Sequence, residues 1–153
     1  MKAQPTEHHG MVRSRCVLIF VLVTLSTLFS VTARANGALL LFDGEKGRTF
    51  AGCLNCLSVE EASVCNPVGD YGSPIGDKSI WNPVGDFGSV VETNSPWNPA
   101  GEGLRILDAN GNYYGRFTIS PIEQSTLPII RQIISAFITL NSTNKVRDLL
   151  CGH

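Results

Sequence analysis

Ser79-Ile80-Trp81-Asn82-Pro83-Val84-Gly85-Asp86-Phe87-Gly88-Ser89 has a near copy 16 residues before it, Ser63-Val64-Cys65-Asn66-Pro67-Val68-Gly69-Asp70-Tyr71-Gly72-Ser73, and a partial copy 16 residues after it, Ser95-Pro96-Trp97-Asn98-Pro99-Ala100-Gly101-Glu102. Self-similarity at a fixed period means one small unit used repeatedly, each copy burying its apolar residues against its neighbours. Every copy holds Asn-Pro-x-Gly, with asparagine at the first corner of a type I turn, proline at the second and glycine at the fourth. Apolar anchors flank that turn: Cys65 and Tyr71, then Trp81 and Phe87, then Trp97. Glycine and proline are too dense here for long strands or helices. The expectation for residues 63–103 is therefore a set of stacked turns held by Tyr71, Trp81, Phe87 and Trp97. Enrichment in proline, glycine and serine is also a signature of disorder, but the recurring tryptophan and β-branched positions are what disordered segments lack.

On the N-terminal side, residues 36–62 hold the apolar run Ala38-Leu39-Leu40-Leu41-Phe42, the turn-rich Asp43-Gly44-Glu45-Lys46-Gly47, and Arg48-Thr49-Phe50-Ala51. A short apolar run bounded by glycine and aspartate reads as the first arm of a hairpin. On the C-terminal side, residues 104–119 alternate around Asp108-Ala109-Asn110-Gly111-Asn112, a second hairpin in which Asn110-Gly111 supplies the positive φ angles of the turn. Residues 120–153 change character. Ser120-Pro121-Ile122-Glu123 has the form of a capping box, Thr126 offers a second start before Pro128, and apolar residues from Ile129 to Leu140 keep helical spacing. Asn144 to Leu150 continues the helical pattern to a C-cap at Gly152. The fold class this implies is α+β: a small hairpin and turn-repeat domain, built from 16-residue units, closed by an amphipathic C-terminal helix that covers the β portion.

Compartment is read from residues 1–35. Arg13 and Arg15 precede the uncharged run Cys16 to Val31, and Ala33-Arg34-Ala35 provides a signal-peptidase site, so a secretory signal peptide cleaved after Ala35 is expected. Met11 makes a normal start for such a signal, and His8 and His9 then carry no functional weight. A run of 16 residues is short of the roughly 20 that cross a bilayer as a helix, so membrane contact is limited to the signal before cleavage. The remaining 118 residues carry 8 basic and 12 acidic side chains. An acidic exported chain has no electrostatic footprint for nucleic acid or anionic lipid. Localisation is accordingly secreted or periplasmic.

Four cysteines remain after the signal: Cys53, Cys56, Cys65 and Cys151. An even number in an oxidising compartment favours disulfides, with three possible connectivities. Cys65 stands in the slot of Trp81 and Trp97, and so points inward; Cys56 stands in the slot of Gly72 and Gly88. Two readings compete. Cys53-Leu54-Asn55-Cys56 has redox spacing but lacks the βαβ context that lowers a thiol pKa. A structural zinc site from Cys53, Cys56, Cys65 and either Cys151 or His153 has suitable ligands but lacks the second ligand pair that makes such a motif strong.

Catalytic patterns are weak throughout. His153, the only histidine after the signal, is the last residue, which leaves the serines without a Ser-His partner. Asp70, Asp86 and Glu102 fall on equivalent repeat positions and line up either solvated or bridged by calcium, solvated being the default. Asp108 to Asn112 opens like an EF-hand loop, but Ile119 stands where the bidentate glutamate belongs. P-loop, dinucleotide and HExxH motifs are missing. Asn141-Ser142-Thr143 is a glycosylation sequon with meaning only in a eukaryotic secretory pathway.

Leu39 to Phe42, Gly52-Cys53-Leu54-Asn55-Cys56, the tandem Ser-x-Trp-Asn and Tyr/Phe-Gly-Ser units, and Asn110-Gly111-Asn112-Tyr113-Tyr114-Gly115 together resemble a family of exported bacterial proteins for which no activity is established. The resemblance covers residues 38–119 and implies fold and bacterial export. Cys65 replaces the aromatic usual in that family, and the tail from Ser120 is longer. The functional expectation is an exported, non-enzymatic binding or cell-envelope structural module without catalytic, cofactor or metal residues, its aromatic ladder facing an envelope polysaccharide or a protein. The alternative is a metal-binding or thiol-redox protein using Cys53, Cys56 and Cys65.

Overall fold

The computed structural model describes residues 37–44 and 46–152. The expected signal segment, its cleavage site and His153 lie outside the described residues. Strands β1 (Leu40–Asp43) and β2 (Phe50–Cys53) form the first antiparallel hairpin, with Leu40 opposite Cys53 and Leu41 opposite Gly52. Asp43 organises its turn: its carboxylate accepts the Arg48 N–H at 2.8 Å, and its own carbonyl accepts the Gly47 N–H at 3.1 Å. Strands β3 (Leu104–Leu107) and β4 (Tyr113–Phe117) form the second hairpin. Asp108 holds that loop through the amides of Asn110 and Asn112, both at 2.9 Å. The left-handed backbone falls on Gly111 alone, at φ 83°, and not on Asn110 as well.

The two hairpins, read separately in the sequence, merge into one antiparallel sheet of order β2-β1-β3-β4, with Leu40 opposite Leu107 and Leu41 opposite Ile106. The alternation explains the merger, since Leu41, Leu104 and Ile106 are fully buried together on one face. Each edge strand is bridged at one residue by the chain that follows it. Cys53 donates to the Ala62 carbonyl at 2.6 Å and accepts from Val64 at 3.0 Å, while Arg116 donates to Glu123 and accepts from Ser125, both at 2.9 Å. Such bridges take up some of the unpaired backbone groups on which other chains template.

Between β2 and β3 the chain turns every three or four residues. Hydrogen bonds from Asn66 to Ser63, Gly69 to Asn66, Gly76 to Ser73 and Ser79 to Gly76 have counterparts 16 residues on, from Asn82 to Ser79, Gly85 to Asn82, Glu92 to Ser89 and Ser95 to Glu92. Side chains follow the same interval. The hydroxyls of Ser63, Ser79 and Ser95 accept the amides of Cys65, Trp81 and Trp97 at 3.1, 3.2 and 3.2 Å. The amides of Asn66, Asn82 and Asn98 donate to the carbonyls of Glu60, Gly76 and Glu92 at 3.2, 3.1 and 3.1 Å. Buried polar groups of this kind are stable because each is satisfied.

Glycine is required at the tightest approach. A Cβ at Gly88 would collide with the backbone of Asn82, and one at Gly72 with the backbone of Asn66. Because the obstacle is main chain rather than a flexible side chain, Gly88→Ala should lower stability by about 1–3 kcal/mol, read as a fall in the urea midpoint at unchanged slope.

Two helices complete the molecule: α1 (Pro128–Leu140) and α2 (Thr143–Cys151). The described residues thus make a small α+β domain. No helix starts at the expected capping box. Glu123 sits at φ 52°, a left-handed conformation that breaks helical continuity, and its carboxylate bonds Arg116 rather than the Ser120 amide. Thr126 is not the cap either: Leu127 precedes Pro128, whose fixed φ starts α1 without side-chain help. Asn141 ends α1 at φ 45°; Ser142 caps α2 by accepting the Lys145 N–H at 3.4 Å, and Gly152 closes it at φ 73° as expected. Ile130, Ile133 and Ile134 of α1 and Val146 of α2 are buried in the common core. The amphipathic stripe thus packs into the common core, and Phe137 meets Trp97 of the turn tract.

Candidate functional site

The sequence singles out four cysteines and four aromatic residues, and the structure assigns both sets to the scaffold. Cys53 pairs with Cys56, and Cys65 pairs with Cys151. The proposed trio of Cys53, Cys56 and Cys65 is thereby split between two disulfides, and a sulfur in a disulfide is neither a thiolate ligand nor a nucleophile. Two disulfides fit an oxidising extracellular or periplasmic environment. Among the described residues, no helix is long and apolar enough to cross a membrane.

Trp81 and Trp97 lie fully inside. The Trp81 indole N–H donates to the Val64 carbonyl at 2.6 Å, and the Trp97 indole donates to the Ile80 carbonyl at 2.5 Å, each reaching back 17 residues. Their rings lie 5.8 Å apart; Trp97 also meets Phe117 edge-on at 5.3 Å and Phe137 of α1 at 4.7 Å. Phe87 is buried in the same core, while Tyr71 is half-buried against Phe50 at 5.1 Å. The expectation that this ladder faces a sugar or protein ligand is corrected: the indoles are sealed and their polar atoms are spent on backbone carbonyls. Burial follows from size, since an indole removes more apolar area from water than any other side chain available to this small core.

Helix α2 is tied to the turn tract at points that helical periodicity does not reveal. Arg147 is buried and donates from Nε to the Gly72 carbonyl at 3.0 Å, Thr143 donates its hydroxyl to the Trp81 carbonyl at 3.4 Å, and Cys151 bonds Cys65. A buried arginine in a short C-terminal helix was the missed signal. Asn141, Ser142 and Thr143, noted as a sequon, form the α1–α2 junction and the α2 cap.

The surface chemistry concentrates around Arg116 of β4. Its Nε donates to Glu123 at 2.8 Å, and its guanidinium also reaches the Glu102 carboxylate at 3.2 Å and the Gly44 carbonyl at 2.8 Å. One of the three aligned acids, Glu102, is thus paired with a cation of the fold itself. Tyr113 is half-exposed, with Arg105 over its ring at 4.9 Å, and Tyr114 donates its hydroxyl to Asp108 at 3.1 Å. Tyr113, Tyr114, Gln124, Ser125 and Leu127 line a cleft of about 350 Å³ beside β4. Both carboxylate oxygens of Asp108 are occupied by amide and hydroxyl donors, which accounts for this loop as a hairpin device rather than a cation loop.

The Arg116 hydrogen bond and charge hold the Glu123 carboxyl below the usual carboxylate range, and the Asn112 side chain and backbone do the same for Asp108. A carboxylate with a depressed folded-state pKa contributes stability that is complete above its unfolded pKa and is lost as pH falls through the folded value. The denaturation midpoint should therefore hold from neutral pH to about 5 and decline below about 4. Glu123→Gln should flatten part of that decline, as measured by urea titrations across the acid range.

No protein-family profile matches the chain, and neither a curated protein nor a solved structure gives a significant match.

Proposed function

We propose that this chain is an exported, non-enzymatic binding or cell-envelope structural module whose central tract is an array of 16-residue turn repeats. What carries the reading is the division of labour among its side chains. The strongest chemical groups, the indoles and the thiols, are consumed in holding the turns together, and the turn corners are left to solvent in regular succession. A repeat array of this kind offers extended surface rather than a reaction pocket. The signal expected in residues 1–35, the paired cysteines and the likeness of residues 38–119 to exported bacterial proteins all favour a secreted or periplasmic location, with an envelope polysaccharide or protein as partner.

Expression in an exporting bacterial host tests this. The protein recovered outside the cytoplasm should begin at Asn36 by intact mass, contain no free thiol and no bound zinc, and be retained by envelope polysaccharide or by an envelope protein fraction. A full-length cytoplasmic chain with reduced cysteines would overturn the location. Reproducible hydrolase or transferase turnover abolished by Asp70→Asn or Asp86→Asn would overturn the non-enzymatic reading, and insulin reduction lost in Cys53→Ser would replace it with a thiol-redox function.

A further inference from the structure

Among the i to i+3 turns of the central tract, six fall into two series at the 16-residue interval: Leu57 to Glu60, Ser73 to Gly76 and Ser89 to Glu92, and Asn66 to Gly69, Asn82 to Gly85 and Asn98 to Gly101. Their third residues are Val59, Val68, Ile75, Val84, Val91 and Ala100, all apolar. Neither turn physics nor core packing accounts for this. Tight turns favour glycine, asparagine, aspartate or serine, and β-branched residues favour strands. Burial gives no reason either, because Val59, Val68, Ile75 and Val84 are 84, 90, 85 and 87% exposed.

The six corners form pairs on one edge. Asn66 bridges its own turn to Glu60, Asn82 bridges to Gly76, and Asn98 bridges to Glu92. Those three bonds join the turn that carries Val59 to the turn that carries Val68, that of Ile75 to that of Val84, and that of Val91 to that of Ala100, and the 16-residue interval repeats the pair along the tract. Carboxylates accompany them: Asp70 and Asp86 stand two residues after Val68 and Val84, and Asp86 donates its amide to the Asp77 carbonyl at 3.0 Å, which places Asp77 at the same edge. From Leu54 to Gly103 the chain has seven carboxylate side chains, of which Glu102 is paired with Arg116 of β4, and one cation, Lys78, which lies over the Tyr71 ring at 6.0 Å. Exposed aliphatic side chains gathered on one surface mark an interaction site, and charge of one sign selects the partner.

We infer that this edge docks a cationic polypeptide segment in which Lys or Arg alternates with apolar side chains. The aliphatic corners supply apolar area and the flanking carboxylates supply register and attraction. A second copy of the chain docking by the same edge is disfavoured, since it would set two strongly acidic surfaces face to face, and an anionic membrane is disfavoured for the same reason. The inference rests on reading the chain as a binding module, and it names the partner chemistry of one surface.

The test is fluorescence anisotropy of the oxidised protein with three labelled peptides of equal length: alternating Lys-Leu, alternating Glu-Leu and alternating Lys-Ser. The Lys-Leu peptide should bind at least tenfold tighter than either of the others, and its affinity should fall with added salt. The double variant Ile75→Ser/Val84→Ser should weaken it at least tenfold with an unchanged melting temperature, because both side chains point into solvent. Asp70→Asn/Asp86→Asn should weaken it to a similar degree and flatten the salt dependence. Equal binding of Lys-Ser and Lys-Leu, or parental affinity in both double variants, would overturn the inference. Envelope fractions that retain the double variants as well as the parent would reject this edge and leave the module reading intact; fractions that retain neither would reject the module reading itself.

Discussion

Trp97→Ala is expected to lower the unfolding free energy by about 3–5 kcal/mol, the range for deleting a large buried aromatic. Trp97 is a point where the turn tract, the sheet and α1 meet: Trp81 of the tract, Phe117 at the end of β4 and Phe137 of α1 all touch its ring. Removing it opens a cavity bordered by three elements and leaves the Ile80 carbonyl without its donor. Trp97→Phe should cost less, since it keeps most of the apolar area and loses the hydrogen bond, an effect of about 1–3 kcal/mol for a buried acceptor left unpaired. Thermal and urea melts of the two variants separate these contributions. Equal and negligible shifts in both would mean that the ladder carries no structural weight. Asn82→Ala, which removes the turn bond to Val84 and the bridge to the Gly76 carbonyl but no large apolar area, should cost less than Trp97→Ala.

The second large effect concerns the disulfides, and here the two are expected to differ. Cys65 and Cys151 are separated by 86 residues, Cys53 and Cys56 by 3. Loop-closure entropy makes the long bridge worth about 4–5 kcal/mol and the short one about 2 kcal/mol. The Cys65→Ala/Cys151→Ala pair should therefore melt well below the Cys53→Ala/Cys56→Ala pair under the same oxidising conditions. Amide exchange should show where the loss falls. In the first pair, protection should fall soonest in α2, which then relies on the Arg147 and Thr143 hydrogen bonds, the core contacts of Val146 and Leu150 and its packing on α1. A reversed order of stability would indicate that the short bridge, beside the β2 edge, governs the fold.

Much of the secondary structure was legible because its signals are local. The first hairpin announces itself by the apolar run Ala38 to Phe42 and the turn residues after it, the second by alternation around Asn110-Gly111, and α1 and α2 by apolar spacing and by Gly152. What escaped was decided by contacts between distant residues. The merger of the hairpins depends on Leu41 meeting Ile106, and nothing within either hairpin encodes the other. Ser120 to Glu123 satisfies the capping-box pattern, yet Arg116, several residues upstream, offers the Glu123 carboxylate a charged partner that a backbone amide does not match. The candidate site was misread for a similar reason. Tryptophans at a regular interval are compatible with a ladder turned outward or inward, and it is their burial and the indole hydrogen bonds to the Val64 and Ile80 carbonyls that show this one is turned inward. The cysteines were identified correctly as a set, while their connectivity waited on the position of α2.

The helical pair touches the turn tract at three levels: Cys151 and Arg147 reach Cys65 and Gly72 in its first unit, Thr143 reaches the Trp81 carbonyl in its second, and Phe137 stacks on Trp97 in its third. Tandem arrays ordinarily gain or lose units freely, because each copy depends only on its neighbours. This one is spanned by a calliper of fixed opening, with one jaw bonded covalently at the bottom and the other closed on an aromatic ring at the top. An added unit would pull one jaw from its seat and a deleted one would leave it nothing to grip. Inserting or deleting 16 residues in the tract should therefore unseat one of these contacts unless the tail changes length with it.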